Sequence, residues 1–142
     1  MSVNILYTAE ATARGGREGH VRSADGSLDL ALVVPKALGG PGGSGANPEQ
    51  LFAAGYAACF EGAARLVAKD AKVTLGPHTY VTARVGIGPR EESGFGLAVT
   101  IEAHLDGVER AQAETIVKTA HENICPYSHA TRGNVEVAIK VV

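Results

Sequence analysis

Two thiols, Cys59 and Cys125, are the only cysteines in the chain. Cys59 lies in Ala57-Ala58-Cys59-Phe60, and Cys125 lies in Ile124-Cys125-Pro126-Tyr127. They are far apart in sequence and form no C-x-x-C unit. Such a pair allows three chemistries: two inert core thiols, one structural disulfide, or a reactive thiol with a resolving partner. A cysteine reacts as the thiolate, and a free thiol titrates near pH 8.5. If Cys59 is helical, its neighbours at i±3 and i±4 are Gly55, Tyr56, Gly62 and Ala63, none of them cationic. Buried without a partner, its pKa rises and it is inert. A reactive Cys59 therefore needs a cation from another segment. Arg14 and Arg17, flanking and inside the glycine-rich run 15–19, are the candidates. Glu49 stands ten residues before Cys59, roughly 15 Å along one straight helix, so it cannot touch Cys59 in cis. If Glu49 and Cys59 serve one site, two subunits must contribute to it, which places the site at their interface.

Other chemistries find less support. His20, His78, His104, His121 and His129 are scattered. His121 and Cys125 form an i, i+4 pair, weak as a zinc geometry, with no H-E-x-x-H beside it. The glycine run Gly39 to Ala46 lacks the lysine and hydroxyl of a phosphate-binding loop.

These residues must be held by a fold. At 142 residues the chain is long enough for one domain, 1–142, with its own core. Its net charge of −2 gives no basic footprint for nucleic acid or anionic membrane. No basic region precedes an apolar run at the N-terminus, so no signal peptide is expected. No stretch of ~18 residues is free of charge and apolar throughout, so no membrane span is expected. A cytoplasmic location follows, where paired cysteines are more often redox-active or inert than a permanent staple. Aromatics make up 5% of the chain and Trp is absent, whereas there are 18 glycines. The core must be built on close packing of Ala, Val and Leu.

Asn4 to Thr12 alternates and predicts a strand. His20 to Ser23 and Leu28 to Val34 predict a hairpin with a tight two-residue turn at Asp25-Gly26. A long helix is predicted from Asn47 as N-cap, with Pro48 at its first position and an N-x-x-Q capping box, to about Lys69. Thr79 to Ile87 and Phe95 to Leu105 predict two long strands. Asp106-x-x-Glu109 reads as a second capping box, opening a helix to about Ile124 that Pro126 stops. Val135 to Val141 closes the chain as a strand. The class is α+β: two antiparallel three-stranded units around long central helices. From Leu51 to Phe60 the long helix carries no charge, and a helix apolar all round must be buried all round. One chain offers too little cover, which implies an intertwined homodimer.

Three segments resemble the organic hydroperoxide resistance (Ohr) proteins of the Ohr/OsmC family: Gly15-Gly16-Arg17-Glu18-Gly19, the run Asn47 to Phe60, and Cys125-Pro126-Tyr127-Ser128 with Ala130 to Asn134. The resemblance spans nearly the whole chain, and the run NPEQLFAAGYAACF is its most specific part. It implies an Ohr/OsmC-like fold and a thiol peroxidase for organic hydroperoxides. In that reading Cys59 is the peroxidatic cysteine and Cys125 the resolving one. Arg17 stabilises the Cys59 thiolate, and Glu49 orients Arg17 through a charge-assisted pair. It also implies that no bound cofactor or metal is needed, and that the reductant is a dithiol on a lipoylated protein. Phe52, Tyr56 and Phe60 would either line an apolar substrate site or simply form core. The alternatives are an OsmC-type peroxidase of the same family and a non-enzymatic dimeric ligand-binding module.

Overall fold

The computed structural model describes residues 2–142; Met1, which opens the N-terminal reading, lies outside them. The chain divides into two compact units, one ending at Pro48 and the other spanning Glu49–Val142.

The first unit is a three-stranded antiparallel sheet in the order β1-β2-β3, with β1 Ala11–Arg14, β2 His20–Ser23 and β3 Asp29–Ala31. A single 3-10 turn, Gly16–Glu18, joins β1 to β2 and carries Arg17 half-buried. Gly19 closes it: a Cβ there would fall 1.7 Å from the Arg14 carbonyl oxygen, so only glycine fits. The β2–β3 turn is four residues long, 24–27, rather than the expected two. Ser23 N–H donates to the Leu28 carbonyl at 2.8 Å. Asp25 Oδ1 accepts from Ser23 Oγ, Ser27 N and Ser27 Oγ, so the side chain organises the wider loop. The strand expected over Asn4–Thr12 forms only from Ala11 onward. Residues 2–10 are in no strand, and Val3, Ile5, Leu6 and Tyr7 are exposed. Alternation supplies the faces of a strand, but a ladder needs a neighbouring edge.

The second unit begins with helix α1, Pro48–Asp70, close to the expected bounds. Tyr56, Phe60, Ala63, Ala64 and Ala68 recur at helical spacing and make its buried face. By length and composition α1 could cross a membrane. It is instead a core helix with a solvated flank, on which Glu61 pairs with Arg65. One chain does not bury α1 on every side, in keeping with the expected shortage of cover. Ala54, Ala58, Gly62 and Leu66, each four residues apart, are exposed.

Strands β4 (Tyr80–Pro89), β5 (Phe95–His104) and β6 (Glu136–Val141) form the second sheet in that order. Val99, Ile101 and Ala103 alternate inward along β5, and Ile101 faces Ala83 of β4 and Ile139 of β6. The β4–β5 pair is antiparallel, but β6 runs parallel to β5. The expectation of two antiparallel units is therefore corrected: the second sheet is mixed. A parallel return needs a crossover of a dozen or more residues, and the helical segment between β5 and β6 supplies it.

That segment holds helix α2, Arg110–Thr119, a π-turn over Ala120–Ile124, and helix α3, Pro126–Thr131. The expected Asp106 capping box does not form. Asp106 instead accepts from the His78 backbone N–H at 3.0 Å, and Glu109 is the N-cap, without a side-chain cap bond. Ala113, Ile116 and Val117 pack α2 into the same core as α1 and β5. Pro126 does not merely end a helix. It sits at the first position of α3, where its missing N–H costs nothing.

Candidate active site

Cys59 lies in the fourth turn of α1, half-buried. Cys125 is the residue between the π-turn and α3, and it is 1% exposed. The fold brings the two together: Sγ to Sγ is 3.9 Å, the long limit of a sulfur hydrogen bond, and both are free thiols. A disulfide requires about 2.05 Å, so roughly 2 Å of closure would join them.

Local structure fixes each sulfur. Cys125 closes the π-turn, its N–H bonding the Ala120 carbonyl at 2.8 Å. Arg132 Nη2 braces the same turn, donating to the carbonyls of His121 at 2.7 Å and Glu122 at 3.1 Å. The Cys125 side chain caps α3, accepting from the Ser128 N–H at 3.4 Å. Around Cys59, burial is the leading influence and pushes the thiol up. The Tyr127 backbone N–H pulls it down, and the adjacent Cys125 pushes it up again. Within this unit the protonated form of Cys59 is favoured, as the absence of a cation on its own helix implied.

Glu49 stands in the first turn of α1, ten residues and ~15 Å along the axis from Cys59. Arg17 and Arg14 belong to the first unit, in the 3-10 turn and at the end of β1.

The aromatic residues sort into two groups. Tyr56 and Phe60 are fully buried, so they are core and not substrate wall. Phe52 is half-buried and Tyr127 is partly exposed, and their rings meet edge-on at 6.2 Å.

One feature escaped the reading of the sequence. Beneath the cysteine pair lies a buried polar cluster centred on Ser128. Its Oγ is 2.9 Å from Tyr56 Oη and 2.7 Å from His121 Nδ1. Tyr56 Oη also lies 3.2 Å from Thr131 Oγ1, which donates to the carbonyls of Tyr127 and Ser128. His121, considered above as a weak metal partner of Cys125, spends Nδ1 on Ser128. Burial first, then the nearby Arg132, holds its pKa below the usual value. The available signal was Ser128 and Thr131 at i, i+3 on one short helix, but nothing in their spacing names Tyr56 as the partner.

A half-buried thiol facing a buried one, both reduced and in contact, is an arrangement for thiol–disulfide chemistry. The family model described as OsmC-like protein matches residues 40–140. The chain belongs to this family of OsmC-like proteins. Within it, several similar proteins are named organic hydroperoxide resistance proteins. That of Xanthomonas axonopodis pv. citri is 50% identical over 135 residues, covering 95% of this chain and 94% of the relative. The crystal structure of an organic hydroperoxide resistance protein from Elizabethkingia anophelis matches with a TM-score of 0.92 and 52% identity, covering 98% of each chain. The structure of the organic hydroperoxide resistance protein OhrB of Bacillus subtilis matches with a TM-score of 0.87 and 45% identity, covering 97% of this chain and 100% of the other.

Proposed function

We propose that the chain is a thiol peroxidase that reduces organic hydroperoxides to alcohols. The observation that carries this reading is the 3.9 Å contact between the half-buried Cys59 and the buried Cys125. The names of the relatives supply the substrate class. The Cys59 thiolate attacks one peroxide oxygen, the O–O bond breaks, and the departing alkoxide takes a proton to leave as alcohol. Cys59 is left as a sulfenic acid. Cys125 then displaces hydroxide from that sulfur, giving the Cys59–Cys125 disulfide and water. An external dithiol, carried by a lipoylated protein, exchanges with the disulfide and restores both thiols. The steps need no bound cofactor.

Burial opposes the Cys59 thiolate, so the reading requires a cation beside it. We assign this to Arg17, oriented by Glu49. We further propose an intertwined homodimer. The exposed apolar line Ala54, Ala58, Gly62 and Leu66 on α1 supports it, as do the exposed Val3, Ile5, Leu6 and Tyr7. A cytoplasmic location accompanies the dithiol reductant.

A turnover assay with cumene hydroperoxide tests the reading, run in parallel with dihydrolipoamide, thioredoxin and glutathione. Rapid consumption sustained by dihydrolipoamide is expected. Consumption by none of the three overturns the peroxidase reading, and consumption with thioredoxin or glutathione in preference overturns the reductant.

A further inference from the structure

The buried cluster under the cysteines has a geometry that bears on the second chemical step. The Cys125 sulfur makes the α3 cap and the 3.9 Å contact with Cys59. The cap bond comes from the Ser128 N–H. Ser128 is fully buried, and its hydroxyl is bound from two other elements, by Tyr56 of α1 and by His121 of the π-turn. Tyr56 lies one turn before Cys59 on α1. The hydroxyl of Ser128 thus ties the helix bearing Cys59 to the turn bearing Cys125, through two bonds of 2.9 and 2.7 Å. A six-residue helix is too short to hold a fixed position by its own hydrogen bonds. Its seat on α1 must come from tertiary contacts: the polar cluster reaches α1 and the π-turn through Ser128, alongside the Tyr127 ring on Phe52 and Tyr56.

We propose that Ser128 is a positioning residue for the resolving step, setting the approach of the Cys125 sulfur to Cys59 through its Tyr56 and His121 hydrogen bonds. The inference rests on the peroxidase reading for its biological setting, but the geometry concerns disulfide closure by any oxidant. In the step itself the S–O bond of the Cys59 sulfenic acid breaks and an S–S bond forms. The Cys125 proton leaves with the hydroxide as water. Ser128 takes no part in this exchange. It holds the nucleophile near 3.9 Å, from which an approach of ~2 Å completes the bond.

The test is a single-turnover experiment on the full-length protein that follows both steps. Sulfenic acid is trapped with dimedone, and the disulfide is read by intact mass. In Ser128→Ala, sulfenic acid formation should keep the wild-type rate, whereas disulfide formation should slow about tenfold, with a longer window for dimedone capture. Tyr56→Phe removes one tie with little change in volume and should slow the same step by a smaller factor. It decides the matter if Ser128→Ala does not fold. Disulfide formation at the wild-type rate in a folded variant overturns the proposal, and so does equal slowing of both steps. If wild-type protein forms no sulfenic acid with an organic hydroperoxide, the peroxidase reading fails by itself. The positioning role is then read from the rate at which diamide, a two-electron oxidant, closes the same cysteine pair. An unchanged diamide rate in Tyr56→Phe and Ser128→Ala overturns it.

Discussion

Tyr127 occupies the space that a side chain at Gly55 would need. A Cβ on Gly55 would lie 2.8 Å from Tyr127 Oη and within 3.2 Å of two ring carbons. Close approach of the ring to α1 is what glycine permits here, and Tyr127 is also the residue whose backbone N–H lowers the Cys59 pKa.

Gly55→Ala therefore sets two effects against each other. Alanine gains about 1 kcal/mol over glycine inside a helix. The obstructing atoms, however, are the end of a partly exposed and movable ring. The helical gain should win or break even, leaving the urea midpoint unchanged or slightly raised. The Tyr127 ring should swing outward. In a protein without Trp, tyrosine fluorescence quenching by iodide reads this directly. A loss of more than about 2 kcal/mol would mean that the ring cannot move.

The two cysteines should fail differently. Cys59→Ser removes the attacking sulfur and should abolish hydroperoxide consumption, and retained turnover would refute its assignment. Cys125→Ser should permit one oxidation and then stall. Intact mass after peroxide should show oxygen added at Cys59 and no intramolecular disulfide.

Arg17→Ala tests the cation. With burial pushing the Cys59 thiol up, loss of a compensating guanidinium should raise its pKa further. Fewer molecules are then thiolate at pH 7, and each unit of pKa lowers the rate of iodoacetamide alkylation there by up to about tenfold. The pH profile of alkylation should move to higher pH. An unmoved profile would exclude Arg17 as the thiolate partner.

Asp25 offers a check on a turn distant from this chemistry. Hydrogen bonds from the Ser23 hydroxyl, the Ser27 N–H and the Ser27 hydroxyl hold its carboxyl down to about 2. A carboxyl lowered on folding stabilises the native state above its unfolded value near 3.9, and that contribution is lost as pH falls toward about 2. A carbon-detected NMR titration should place the Asp25 midpoint near the lower value. A midpoint near 3.9 would mean that the loop does not hold these bonds in solution.

Much of this architecture can be read from residue order where the signal is local. Asn47-Pro48-Glu49-Gln50 marks the start of α1 because Pro at the first helical position and an acidic first turn act within a few residues. The paired strands β4 and β5 follow from alternation around a turn of Gly, Pro and charged residues. What failed was non-local. Val135, Val137, Ile139 and Val141 alternate identically whether β6 runs parallel or antiparallel to β5, so its direction depends on the crossover. Asp106 has a capping residue's chemistry, but a backbone N–H at His78 claims its carboxylate first. The thiols at Cys59 and Cys125 announce their chemistry by type, whereas their contact is a product of the packed core. The tie from Ser128 to Tyr56 spans 72 positions and has no local trace.

The π-turn before Cys125 makes the length of this segment as important as its composition. A π-turn holds one residue more than the α-helical path, and each residue of an α-helix turns the chain by about 100°. Deleting one residue from 120–124 would let the backbone relax to α-helical hydrogen bonding with every side-chain type nearly intact. The chain beyond would keep its facing, and Cys125 its side toward α1, because the residue removed is the extra one that the π-turn holds. A single-codon deletion is thus absorbed within 120–124, whereas the same deletion within α2 would turn Cys125 by about 100°, a difference that scanning by substitution would never register.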